Sequence, residues 1–208
     1  MKREVLIPEN GWIKTEVKFA ASNTKIQAVS FRAFTQISKA LGRNSLPDIF
    51  KVLSVNLSIF WRWLLFASRL MPYGKLSARE RELIILRVAW LCKSRYEWGQ
   101  HIEIGQRMAH LSDQDIIQIT IGATAFFSSK EQLLLTACDE FIQHKSIQKN
   151  TWKKLAQHYQ QAILLEISFL IGHYEMLAGI LNSIGLELES DIESNYQAFN
   201  NRIEGLLK

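Results

Sequence analysis

Residues Leu76–Ala109, LSARERELIILRVAWLCKSRYEWGQHIEIGQRMA, decide the fold class. Ser77 stands three residues before Glu80, just ahead of the apolar run Leu83, Ile84, Ile85, Leu86, Val88 and Ala89. That spacing is a capping box: the serine oxygen accepts an orphan N–H while the glutamate reaches back to the cap. Ser94 and Glu97 repeat the pattern, and the chain between Cys92 and Ser94 supplies the break. The stretch therefore predicts two consecutive helices, over 78–91 and 95–108, the second carrying Trp98, Ile102, Gly105 and Met108 on one face. Glu97 and His101 are four apart and share a helix face. A carboxylate beside an imidazole holds its tautomer and shifts its pKa, which suits acid–base work near neutrality. Judged singly, these residues have plainer roles: Glu97 as the capping glutamate, Glu82 as a charge in the first turn, Cys92 as a small buried thiol.

Working outward, composition agrees with a helical protein. The 208 residues are 48% hydrophobic and 22% charged, with only three prolines and ten glycines. Such a chain buries a substantial core and favours helices over strands and turns. The net charge of +5 is spread among acids, with no basic cluster of the kind nucleic acid requires. Two distant cysteines, Cys92 and Cys138, and an N-terminus without a signal-peptide pattern set the expectation of a reducing cytoplasm with both thiols free. Ile59–Met71 and Ile163–Ile171 are apolar but short and carry charges, so both are expected as buried helices rather than membrane spans.

Residues 1–22 read as an extended arm anchored by Trp12. A helix from Asn23 or Thr24 to Gly42 carries Ile26, Val29, Ala33, Phe34 and Ile37. Ser45 as cap and Pro47 in the first turn start another, which bends at Asn56 and continues past Trp61 and Trp63, both expected in the core. Ser112 with Asp115 and Ser128 with Glu131 mark two more starts, and Asn150 a third. A long helix spans about Ala162–Ser183 and stops at Gly185, with His173, Tyr174 and Glu175 interrupting a buried surface that includes Phe169 and Met176. In the tail, Ile192, Tyr196, Phe199, Ile203 and Leu206 follow a heptad-like seam, expected to pack on another subunit slightly more than on its own domain. The organisation is thus an arm over 1–22, an all-α domain over 23–188 and an amphipathic helix over 189–208.

The residues Arg81-Glu82-Leu83, an apolar helix, and Tyr96-Glu97-Trp98-Gly99-Gln100-His101 together resemble the carboxymuconolactone decarboxylase superfamily, which includes alkylhydroperoxidase D. Weaker similarity runs through Leu134-Leu135, Asp139-Glu140, Ile171-Gly172-His173-Tyr174 and Leu181-Asn182, so the resemblance covers roughly 46–185. It implies a helical bundle of the alkylhydroperoxidase D-like type with about eight to ten helices, assembled as a homo-oligomeric trimer or hexamer with sites near subunit contacts. In the peroxidase branch a CxxC pair precedes the histidine. Here those positions are Ser94 and Glu97, while the branch's glutamate and histidine match Glu82 and His101. A dithiol peroxidase needs an attacking thiolate and a resolving partner, and that pair is absent from its places.

The leading expectation is a small-molecule enzyme acting on a small carboxylate or lactone, with His101 as general acid/base, Glu97 sharing its proton and Glu82 completing a relay. Cys92, Ser94, Tyr96, Trp98, His173 and Tyr174 are candidate pocket members. One alternative is a thiol-dependent hydroperoxidase using Cys92 and an external thiol; another is a non-catalytic oligomeric binding module. No phosphate loop, CxxC, di-iron helix spacing or hydrolase elbow occurs, so no cofactor, metal, nucleic acid or membrane partner is expected.

Overall fold

The computed structural model describes residues 4–17, 19 and 46–207. Among them the regular structure is helical: α1 (Asp48–Leu53), α2 (Leu57–Leu70), α3 (Ala78–Leu91), α4 (Arg95–Met108), α5 (Asp113–Ile121), α6 (Ser129–His144), α7 (Lys149–Leu155), α8 (Gln161–Ile184) and α9 (Ser190–Glu204). The helix expected over 23–42 lies outside the described residues.

α3 is the axis. It packs against α4, α5, α6 and α8, and every residue from Arg81 to Ala89 is buried. A helix buried without a break from Arg81 to Ala89 is enclosed on all sides, its charged Arg81, Glu82 and Arg87 included. On one side Leu83 and Leu86 meet Trp98 and Ile102 of α4, Ile116 and Ile119 of α5, and Tyr196, Phe199 and Ile203 of α9. On the other, Ile84, Ile85 and Val88 meet Leu134 and Cys138 of α6 and Ile167 and Ile171 of α8. Each such side chain contributes about 1.5–3 kcal/mol by leaving water.

Local signals place the helix starts. Ser77–Glu80, Ser112–Asp115 and Ser128–Glu131 all form complete capping boxes. Gly185, at φ 64°, ends α8, where a side chain would collide with the Val17 carbonyl. Three expectations change. Ser94 occupies the cap position of α4 but its hydroxyl makes no capping bond, because Glu97 turns inward instead. The cap of α7 is Gln148 rather than Asn150. Pro47 stands at the cap of α1, and the expected bend at Asn56 is a full break: its side chain accepts from Ile59 N–H and opens α2.

Burial also departs from the pattern. Only Phe60 and Leu70 of α2 are buried, and Trp61 is 46% exposed rather than in the core. On α8 one face is core, but Phe169 and Met176 are exposed. Length and composition alone would let α8 cross a membrane; its apolarity serves instead to fill the groove beside α3, α4 and α6. The tail helix α9 buries Ile192, Tyr196, Phe199 and Ile203 against α4 and α5 of its own chain, while Leu206 is exposed. A short amphipathic helix takes the nearest apolar groove, and α4 and α5 supply it. Trp12 packs edge-on to Trp90 with ring centroids 5.6 Å apart, and its Nε1–H donates to Glu4 at 2.6 Å.

Candidate active site

The α3–α4 hairpin brings Glu82 and His101 together across 19 residues of sequence. His101 Nδ1 lies 2.7 Å from Glu82 Oε2. A carboxylate only accepts, so Nδ1 carries the hydrogen and Nε2 is left as the reactive nitrogen. Nε2 in turn lies 3.5 Å from Glu97 Oε2, one helical turn earlier. All three side chains are removed from bulk water: Glu82 is 0%, Glu97 3% and His101 5% exposed.

Burial sets the electrostatics. Desolvation pushes the Glu97 carboxyl up to about 7; His101 opposes this and the Glu82 charge adds to it. The Glu97 carboxyl therefore gains or loses its proton in the neutral range, beside the His101 ring. Arg81 supplies the compensating positive charge, its Nε 3.6 Å from Glu82 Oε1. Several capacities remain unused: Arg81 Nε, Glu82 Oε1 and Glu97 Oε1 are buried and make no hydrogen bond. Charged groups held out of water with spare donors and acceptors are costly in a purely structural cluster.

Tyr174 of α8 closes one side, its ring edge-on to His101 at 5.1 Å and its hydroxyl donating to Met71 Sδ at 3.3 Å. Burial, reinforced by Glu97 and Glu82, holds its phenol well above the usual value, so it is a donor and not a phenolate. His173 stands beside Tyr174, at 5.4 Å between ring centroids.

Other candidates fall elsewhere. The Tyr96 hydroxyl accepts from Ile49 N–H and donates to Glu189, tying α4 to the first turn of α1 and to the chain after α8. Trp98 sits in the core between Trp12 and Trp90. Ser94 is fully buried at the start of α4 with an unpartnered hydroxyl. Cys92 ends α3, and its carbonyl accepts from Asn182. Burial, helped by Glu175, pushes its thiol up to about 11, which suppresses the thiolate at neutral pH. Cys138 is buried with its thiol pushed higher still. Among the described residues no cluster of three or more His, Cys, Asp or Glu has metal-binding geometry.

Arg81 is the participant that residue-by-residue reading missed, although it stands within the Arg81-Glu82 motif. Trp63 also approaches this region, stacked near His173 at 6.2 Å. Its distance in sequence from His173 left no local signal.

The buried Glu–His–Glu cluster, without a thiol pair, stands on a helical hairpin of an alkylhydroperoxidase D-like fold. Residues 58–140 match the carboxymuconolactone decarboxylase family. An uncharacterized peroxidase-related protein from Silicibacter sp. TM1040 shares the fold at TM-score 0.72 and 15% identity, covering 88% of this chain and 97% of that one. An alkylhydroperoxidase AhpD core protein from Ralstonia eutropha JMP134, also peroxidase-related and uncharacterized, gives TM-score 0.72 and 15% identity over 84% of this chain and 93% of its own. The debrominase Bmp8, in a cysteine-to-alanine variant bound to 2,3,4-tribromopyrrole, gives TM-score 0.68 and 14% identity over 90% and 99% of the two chains. No curated protein matches the chain.

Proposed function

We propose that the protein is a small-molecule enzyme that uses Glu–His acid–base chemistry on a small carboxylate or lactone. The observation that carries this reading is His101 held between two buried carboxylates, at 2.7 Å from Glu82 and 3.5 Å from Glu97. Glu82 fixes the tautomer and stabilises the imidazolium as it forms. Glu97 and His101 share the proton that the substrate gains or loses at His101 Nε2. In a decarboxylation the bond to the carboxylate breaks, CO2 leaves, the electron pair is delocalised into the lactone carbonyl, and the imidazolium returns a proton to carbon. Arg81, with its Nε unused, offers the carboxylate a cation. The match of residues 58–140 to the carboxymuconolactone decarboxylase family supports a reaction of this type.

The peroxidase-related neighbours favour a second reading, a thiol-dependent hydroperoxidase working through Cys92. The raised thiol and the missing CxxC weigh against it. The reading also takes the protein as a cytoplasmic homo-oligomer, a trimer or hexamer. The exposed apolar residues Leu165, Met176 and Ile180 on α8 support an assembly, and sedimentation velocity measures it.

The test is turnover of 4-carboxymuconolactone and related lactone acids by wild type and His101→Ala. We expect a drop of about 10²- to 10⁴-fold in kcat, the usual contribution of a positioned acid/base. Equal turnover by the two proteins removes His101 from the chemistry, and no turnover by either favours the non-catalytic binding module.

A further inference from the structure

Beyond Tyr174, two further buried polar atoms make no hydrogen bond: Nε1 of Trp63 on α2 and Nδ1 of His173 on α8. His173 is 6% exposed. The two rings are nearly parallel, 23° between planes and 6.2 Å between centroids. Phe66 sets its edge against His173 at 5.4 Å and meets Phe169 at 5.8 Å. A continuous line of rings thus runs from Phe169 and Phe66, 49% and 40% exposed, through His173 and Tyr174 to His101. It joins the solvent-facing side of α2 and α8 to the buried acid–base pair.

We propose that Trp63, Phe66 and His173 form a binding subsite for a flat, uncharged ring that carries a hydrogen-bond acceptor, received by the Trp63 Nε1–H donor. The chemistry of the walls selects this class. Indole N–H is a donor only, so its partner is an acceptor. A buried donor without an acceptor is costly, and a ligand acceptor recovers that cost. Burial alone pushes His173 down to about 4, so at neutral pH it is an uncharged imidazole whose Nδ1 adapts by tautomer. A carboxylate seated among these rings would lack a cation and its desolvation would go uncompensated. Aromatic walls instead favour the face and edge of another ring. α2 forms one wall and rests on α1 and α8 with two buried side chains, Phe60 and Leu70, so it yields to an incoming ligand more readily than α3.

The subsite depends on the acid–base reading only for the chemistry after binding. The probe is coumarin, a flat aromatic ring with a carbonyl acceptor, titrated into the full chain labelled with ¹⁵N at its tryptophan indoles. Naphthalene keeps the ring without the acceptor, and δ-valerolactone keeps the acceptor without the flat ring. Coumarin is expected to move the Trp63 Nε1–H resonance saturably, with naphthalene and δ-valerolactone each binding about tenfold more weakly or worse, the scale of one lost contact. His173→Phe and Trp63→Phe, which keep aromatic volume, are expected to weaken coumarin by about tenfold. Unmoved Trp12, Trp90 and Trp98 resonances report that the core of each variant is intact. A Trp63 resonance that coumarin leaves in place, or naphthalene binding as tightly as coumarin, overturns the subsite. His101→Ala separates the two readings. Coumarin bound at Trp63 without any His101-dependent turnover sinks the acid–base reading alone; His101-dependent turnover without a Trp63 response sinks the subsite alone.

Discussion

Arg81 and Arg87 lie on the same helix and are almost equally buried, 6% and 7% exposed. Their surroundings differ in one respect. Arg87 donates from Nε to Asp139 at 2.7 Å and from Nη1 to the carbonyls of Ile119 and Thr120 at 2.8 and 2.9 Å. It ties the last carbonyls of α5 to α6, and Gly122 lacks a side chain where one would strike the guanidinium. Arg81 makes no hydrogen bond through Nε, and the Glu82 carboxylate it faces at 3.6 Å leaves Oε1 without one as well. A structural arginine uses its donors on the protein. A cluster that leaves them over, at the desolvation cost such groups carry, keeps capacity for something the fold itself does not contain.

The contrast can be broken from either end. Arg87→Met removes the cap on α5 and is expected to cost about 3 kcal/mol of stability, since the buried Ile119 carbonyl, the half-buried Thr120 carbonyl and the partly exposed Asp139 lose their donor together. Urea unfolding measures this. A loss under about 1 kcal/mol, the scale of one ordinary hydrogen bond, would erase the distinction between the two arginines.

Glu97→Gln acts on the other cluster through pH. The folded value of about 7 lies above the usual 4.5, so folding favours the protonated acid. Below 4.5 both folded and unfolded chains carry the proton and burial costs nothing through ionisation. As pH rises from 4.5 through about 7 the unfolded chain ionises first, and wild type loses stability relative to Glu97→Gln. The shift corresponds to about 3 kcal/mol, fully expressed above neutrality. Parallel unfolding curves for the two proteins at acidic and neutral pH check it, and a difference independent of pH would place Glu97 in a polar, solvated setting.

Smaller effects separate the two serines that share a sequence pattern. Ser77→Ala removes a formed capping box and is expected to cost about 1 kcal/mol. Ser94→Ala removes a buried hydroxyl with no partner, so it is expected to be neutral or slightly stabilising. Thermal unfolding compares them. The smallest effect belongs to Cys92→Ser: with its thiol held near 11, we expect lactone turnover and peroxide consumption unchanged from wild type.

These serines show how far local reading reaches. Three Ser-x-x-acid patterns opened helices as the pattern requires, because a capping box is completed within four residues. The fourth failed because Glu97 had a competing partner in His101, in a buried place where its charge matters more than the cap. Trp61 and Trp63 stand two apart in a dense apolar run, and periodicity could not say which side of α2 would be covered. For α9 the spacing of Ile192, Tyr196, Phe199 and Ile203 foretold a buried seam but not its partner. The Glu82–His101 pairing was legible through the family resemblance of the motif, not through spacing.

By itself the sequence determined the helical class, the hairpin over 78–91 and 95–108, the stop at Gly185 and the pairing of Glu97 with His101 on one face. Caps, periods and i to i+4 neighbours are set by the chain's own geometry, so they are written locally. Only the tertiary structure decided that Arg81 and Arg87 have opposite roles, that Cys92 is quenched by burial, and that Trp63 and His173 stand side by side with unused nitrogens. Desolvation and the matching of donors to acceptors depend on which distant segments close around a group, and no window of sequence contains that information.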